Sequence, residues 1–245
     1  MRISCSKQFI LLHLPRTGIS SVIAALDDAL FVRAAPTPKN KLMSKYLFFV
    51  PRPVEKSYLR THETAAHLRR LLSAEKFETY CKIAFVRNPY SWLVSLYELV
   101  VQSPTHRHHK RVTAMSGFGA YVDWEINRNR RKQTAYVLDR RGKLLVDCVG
   151  RYEHLAEDAA RIFESIDVDL KPLPRVGQFT RKDYREFYDE ALRRRVETHW
   201  ARDLELFGYE FDGPGINDAT GRLRTQAFRS GFLRPPNRHQ ATRRD

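Results

Sequence analysis

Twice in this chain a short apolar run ends abruptly in a polar turn and passes straight into an apolar helical stretch. The first instance is Phe9 to Leu14, then Pro15-Arg16-Thr17-Gly18-Ile19-Ser20-Ser21, then Val22 to Leu26. The second is the strand at 81–86, whose core is Ile83 to Val86, then Arg87-Asn88-Pro89, then a helix from about Pro89 to Gln102. Each apolar run is short and flanked by turn signals, as expected of a strand buried on both faces. Pro89 suits the first turn of a helix, where its missing N–H costs nothing. Strand–turn–helix units of this kind build an open α/β sheet, and in such sheets ligands bind in the crevice at the strands' carboxyl ends.

Both turns carry groups that suit an anion. Arg87 stands at the end of its strand and Ser95 two turns into the following helix. A guanidinium fork and a hydroxyl there match a phosphate. In the first turn, Gly18 permits the tight bend that aims backbone N–H groups at an anion. Arg16 adds a fixed charge, and Thr17, Ser20 and Ser21 add hydroxyl donors. No G-x-x-x-x-G-K-[ST] sequence is present, which argues against an ordinary ATP- or GTP-hydrolysing enzyme.

The remaining chain continues the alternation. Tyr46 to Val50 reads as a strand and Glu63 to Ser73 as a helix with Thr61 as its cap. Residues 103–115 form a basic loop, and Phe118 to Trp124 reads as a short helix. Leu144 to Val149 reads as a buried strand, Glu153 to Ile166 as a helix, and Glu190 to Phe207 as one helix ending at Gly208. The expected architecture is α/β, three layers, with helices on both faces of a central parallel sheet. At 245 residues, 42% of them hydrophobic, the chain has material for one domain, expected over 1–212. Residues 213–245 differ: seven arginines stand against Asp218 and Asp245, a formal +5, with Pro235-Pro236 inside. This reads as a disordered basic tail able to meet anionic surfaces.

The formal net charge of +15 suggests polyanionic partners. Nothing in the pattern supports nucleic acid: zinc-finger spacing, a basic zipper and RNP-like aromatics are all missing. No apolar run approaches the ~20 residues of a membrane span. Cys5, Cys81 and Cys148 show no metal spacing, and the cluster His106 to Lys110 lacks an i, i+4 histidine pair on an evident helix. The expectation is therefore a cytoplasmic protein without leader, membrane span or metal.

Four segments in order resemble the PAPS-dependent sulfotransferases, in particular their carbohydrate and bacterial branch, over roughly residues 8–212. PAPS is 3′-phosphoadenosine 5′-phosphosulfate. The family's [FV]-x-R-[ND]-P-x5-S-x-Y is complete in Arg87, Asn88, Pro89, Ser95 and Tyr97. Its P-K-T-G-G-T-S loop is matched in degenerate form by Pro15 to Ser21. Asp147 to Asp158 is similar to D-x-V-G-R-[FY]-E-N-L-x-x-D, and Asp203 to Tyr209 to D-x-x-x-F-G-Y.

The resemblance implies a P-loop-like sulfotransferase fold and transfer of a sulfuryl group from PAPS to a hydroxyl, with a carbohydrate or glycoconjugate as acceptor. It assigns the 5′-phosphosulfate to Arg16, Thr17, Gly18, Ile19, Ser20 and Ser21, and the 3′-phosphate to Arg87 and Ser95. Tyr152 falls near the adenine, and Thr180-Arg181-Lys182 falls within reach of the nucleotide. Arg16 stands where the family has lysine, and keeps the charge without the compact ammonium. Ile19 replaces a glycine, and a β-branched residue resists positive φ. His62 is the candidate general base, with Glu63 as alternative base, orienting partner or helix-start acid. The competing expectation is a non-catalytic nucleotide- or polyanion-binding protein on the same fold.

Overall fold

The computed structural model describes residues 1–30, 62–174 and 182–214. The expected strand at 46–50, the Thr61 cap, Thr180 and Arg181, and all of the basic tail beyond Pro214 lie outside the described residues.

Four strands form the main sheet: β1 (Arg2–Ser4), β2 (Phe9–Leu11), β3 (Cys81–Val86) and β4 (Cys148–Arg151), in that spatial order. β2, β3 and β4 are parallel, as the alternating pattern requires. β1, which the sequence reading did not anticipate, adds an antiparallel edge with Arg2 opposite Leu11. Among the described residues the sheet is therefore mixed at the β1 edge only.

The side-chain alternation of the strands sorts the core into two layers. Ile10, Leu12, Ala84 and Val86 face one side, where they pack with Ala65, Leu68, Phe77, Val137 and Phe207. These belong to α2 (Ala65–Leu71), α3 (Ala74–Thr79), α7 (Thr134–Val137) and α10 (Ala201–Phe207). Phe9, Leu11, Ile83 and Phe85 face the other side and meet Ile19, Val22, Ile162 and Phe163 from α1 (Ile19–Ala25) and α8 (Leu155–Ser165). Every residue of β3 is buried, as a central parallel strand covered on both faces must be. Gly150, paired with Phe85, is needed for this: a Cβ there would stand 2.4 Å from the Phe85 ring.

A third cluster gathers around α4 (Pro89–Gln102), α6 (Phe118–Asn127) and α9 (Glu190–His199), with Trp92, Tyr121 and Trp200 fully enclosed. α5 (His109–Thr113) rises from the expected basic loop.

Several boundaries move. Leu144 makes only an isolated bridge to Leu138, so the strand expected from 144 begins at Cys148. The helix expected from Glu153 is preceded by a 3-10 turn over Tyr152–His154. The helix expected over 190–207 breaks at Trp200, whose buried indole redirects the chain into α10. Gly208 closes α10 in the left-handed conformation, φ 65°. Gly213 and Pro214 pair with β5 (Tyr209–Glu210) as β6. Among the described residues no helix is long and apolar enough to cross a membrane.

Candidate functional site

The two turns singled out in the sequence meet at the carboxyl ends of β2 and β3. After β2 the chain stays paired to β3 through Leu12 N–H to Ile83 O, 2.8 Å, and then bends. Thr17 is fully buried and donates its hydroxyl inward to Leu14 O at 3.1 Å, so it shapes the turn from within. The Trp92 indole donates to Pro15 O at 2.7 Å and ties the turn to α4.

Positive φ falls on Arg16 (63°) and Gly18 (77°), while Ile19 is the first residue of α1 and is buried in the core. Ile19 therefore stays out of the left-handed region, and Arg16 occupies it as a side-chain-bearing residue at a cost of about 1–2 kcal/mol. Gly18 has no such latitude, because a Cβ would lie 2.4 Å from Leu155 Cδ2. Ser20 is exposed and Ser21 buried.

At the second turn, Asn88 caps α4 by accepting from Tyr90 N–H at 3.0 Å, and Pro89 follows. One helical turn sets Ser91 and Ser95 on the same face of α4. Arg87 donates Nε–H to Ser91 Oγ at 2.9 Å and Nη1 to Arg16 O at 3.4 Å, and its guanidinium lies 4.0 Å above the Tyr152 ring. Arg16 donates Nε–H to Ser95 Oγ at 2.8 Å.

Arg16, Arg87, Ser95 and Tyr152, dispersed over 137 positions of sequence, thus come together in one constellation. Two cations share it. Burial holds the Arg87 pKa below its ordinary value, and burial together with the Arg87 charge does the same to Arg16. Both still carry their charge near neutrality. Enclosed like charges of this kind are relieved by an anion bound between them.

Two participants escaped the sequence reading. Ser91 lies four residues after Arg87, a spacing that could have marked it. Glu98, one turn beyond Ser95, has a buried carboxylate oxygen with no hydrogen-bond partner, and its charge acts on both guanidiniums.

His62 is exposed and comes to the same edge of the sheet. Its Nδ1 stands 2.8 Å from His13 O, and the two imidazoles meet edge to face at 4.9 Å. With Nδ1–H donating to that carbonyl, Nε2 keeps the lone pair a base requires. His13 itself is held neutral, its pKa pushed down to about 3 by burial, with Arg2 and His62 among the charges beside it. The Glu63 carboxylate lies 3.9 Å from His67. Thr64 caps α2 by accepting from His67 N–H at 3.1 Å. Arg131 reaches His62 O at 3.4 Å, so a basic stretch borders this side. Of the basic-loop histidines, His109 contacts Val100 O and His108 contacts Arg128. Among the described residues no group of His, Cys, Asp or Glu is arranged to hold a metal ion.

Apart from Tyr152, the residues of the two later motifs make scaffold contacts. Asp147 pairs with the nearly buried Lys82 at 2.7 Å, and Asp158 accepts the Arg151 N–H at 2.7 Å. Arg151 donates to Phe207 O at 2.9 Å. Lys182 is exposed.

Residues 40–210 match the sulfotransferase family. The match begins downstream of the Arg16 turn, so that turn enters through geometry alone. No curated protein matches the chain. Among solved structures, the mouse sulfotransferase SULT7A1 complexed with PAP is similar at 14% identity and a TM-score of 0.48, over 82% of this chain and 85% of that one.

Proposed function

Because the chain belongs to the sulfotransferase family, we propose that it moves a sulfuryl group from PAPS to a hydroxyl on a carbohydrate or glycoconjugate. The observation that carries this reading is the meeting of Arg16 and Arg87: Arg16 Nε–H on Ser95 at 2.8 Å, and Arg87 reaching Arg16 O at 3.4 Å. Arg87, with Ser91 and Ser95 beside it, offers the fork and hydroxyls for a 3′-phosphate, and the Tyr152 ring supports the guanidinium from below. Arg16, with Gly18, Ile19, Ser20 and Ser21 around it, supplies positive charge where the departing 5′-phosphate accumulates negative charge. His62 takes the proton of the acceptor hydroxyl through Nε2. In this reading Glu63 supports the start of α2 rather than the base. No metal is required by these roles.

The carbohydrate acceptor follows from the resemblance of the motifs to that branch. The Arg131 border beside His62 suits an acceptor that itself carries anionic groups. Free thiols at Cys5, Cys81 and Cys148 fit a cytoplasmic setting. The basic stretch 213–245 gives this protein a second means of meeting anionic surfaces.

Incubation with radiolabelled PAPS and a panel of neutral and acidic polysaccharides tests the reading. Label transfer is expected, with His62→Ala lowering turnover by about 10²–10⁴ while leaving nucleotide affinity within about twofold. Binding of 3′,5′-phosphoadenosine with no transfer to any acceptor, including water, would favour the non-catalytic nucleotide binder instead.

A further inference from the structure

Two chains of side-chain hydrogen bonds converge on the backbone of Arg87 and Asn88 from the carboxyl-terminal part of the fold. The first starts at Asp203, which is completely enclosed. Its Oδ2 accepts Gln133 N–H at 2.8 Å and its Oδ1 accepts Thr134 N–H at 2.9 Å, so one carboxylate holds the start of α7. Burial raises the Asp203 pKa, and these same hydrogen bonds oppose the rise. Gln133, also fully enclosed, turns its amide back toward β3. Oε1 accepts Arg87 N–H at 2.9 Å and Nε2 donates to Arg87 O at 2.7 Å. That is the pairing a neighbouring strand would make, supplied by a side chain at the residue where β3 has ended. Both buried backbone groups of Arg87 need partners, and a side-chain amide offers a donor and an acceptor spaced like those of a peptide group.

The second chain starts at Tyr209, whose hydroxyl donates to Glu153 Oε2 at 2.7 Å. Glu153 Oε1 then accepts Asn88 N–H at 2.9 Å. The root of the Arg87 side chain is thus held from two directions, while Ser91 and Tyr152 hold its tip.

We propose that Gln133 and Asp203 are positioning residues of the anion site: they fix the Arg87 backbone and, through it, the angle at which the guanidinium meets a 3′-phosphate. The proposal rests on the donor-site reading above for its ligand, but its geometric content concerns Arg87 alone.

The test titrates the full chain calorimetrically with 3′,5′-phosphoadenosine and with AMP, and follows the nitrogen-labelled Arg87 Nε–H resonance, identified by its loss in Arg87→Ala. Gln133→Ala is expected to weaken 3′,5′-phosphoadenosine about tenfold, leave AMP within about twofold, and speed exchange of the Arg87 Nε–H. Asp203→Asn, which keeps one acceptor oxygen, is expected to cost about threefold with the same selectivity. Loss of thermal stability with an unchanged nucleotide preference and an unchanged Arg87 resonance would overturn the proposal. If Gln133→Ala does not fold, the same criteria apply to Asp203→Asn. If the wild type shows no preference for 3′,5′-phosphoadenosine, the donor-site reading fails, and the Arg87 resonance alone decides the positioning role.

Discussion

The two turns of the site are built on opposite principles. At the β3–α4 junction every backbone group near Arg87 is satisfied without strain: Asn88 caps, Pro89 starts the helix, and Gln133 and Glu153 supply the missing pairings. At the β2–α1 junction a bulky Arg16 sits in the left-handed region, and the turn depends on Trp92 from below and Ser95 from the side. One half is an anchor whose backbone groups are all paired. The other is an adapted loop in which a side chain carries a backbone angle that glycine would take more easily. If the proposed roles hold, change is tolerated less at the Arg87 turn than at the Arg16 turn.

The sharpest contrast is at Gly18, the one place where the adapted loop has no slack. Gly18→Ala introduces both a positive-φ side chain and a clash with Leu155, and is expected to lower stability by about 2–3 kcal/mol in denaturant titration. A loss below about 0.5 kcal/mol would mean that the loop is more plastic than described.

Paired lysine substitutions then separate the two regions directly. Arg87→Lys forfeits the planar stack on Tyr152 and the separate bonds to Ser91 and Arg16 O, and is expected to weaken 3′,5′-phosphoadenosine by about tenfold or more. Arg16→Lys keeps a charge in a looser setting and is expected to cost only about threefold. Equal losses would erase the distinction between anchor and loop.

A further effect, read against pH rather than by ligand, concerns His13. Its folded pKa of about 3 lies below the ordinary 6.5, so above 6.5 neither the folded nor the unfolded state binds the proton and stability is unaffected. Between 6.5 and about 3 the unfolded chain binds more protons, and stability falls as pH falls. His13→Gln is expected to flatten that slope in thermal melts run across this window; an unchanged slope would place His13 in a solvated setting.

The anchor was almost wholly legible in the sequence. Cys81 to Val86 and Pro89 to Gln102 emerge with the expected bounds because an unbroken apolar run, an Asn cap and a proline are strong local signals. Arg16, Arg87, Ser95 and Tyr152, all named from the sequence, lie together. What stayed hidden is non-local. Gln133 bonds to a backbone 46 positions away, and Asp203 reaches 70 positions back to Gln133, and neither leaves a periodic trace. The break at Trp200 follows from tertiary burial of an indole, against a helical pattern that runs straight through it. Ile19 suggests an obstacle if its position needs positive φ, but it begins α1, and the positive φ falls on Arg16 and Gly18.

The most direct test of the account is calorimetric titration of 3′,5′-phosphoadenosine, with AMP as control, on the wild type and on Arg87→Ala. The account predicts micromolar binding of 3′,5′-phosphoadenosine, weaker binding of AMP, and loss of the difference in Arg87→Ala, a change of about 100-fold or more. Equal affinity for both nucleotides in the wild type, or a preference that survives Arg87→Ala, would contradict it.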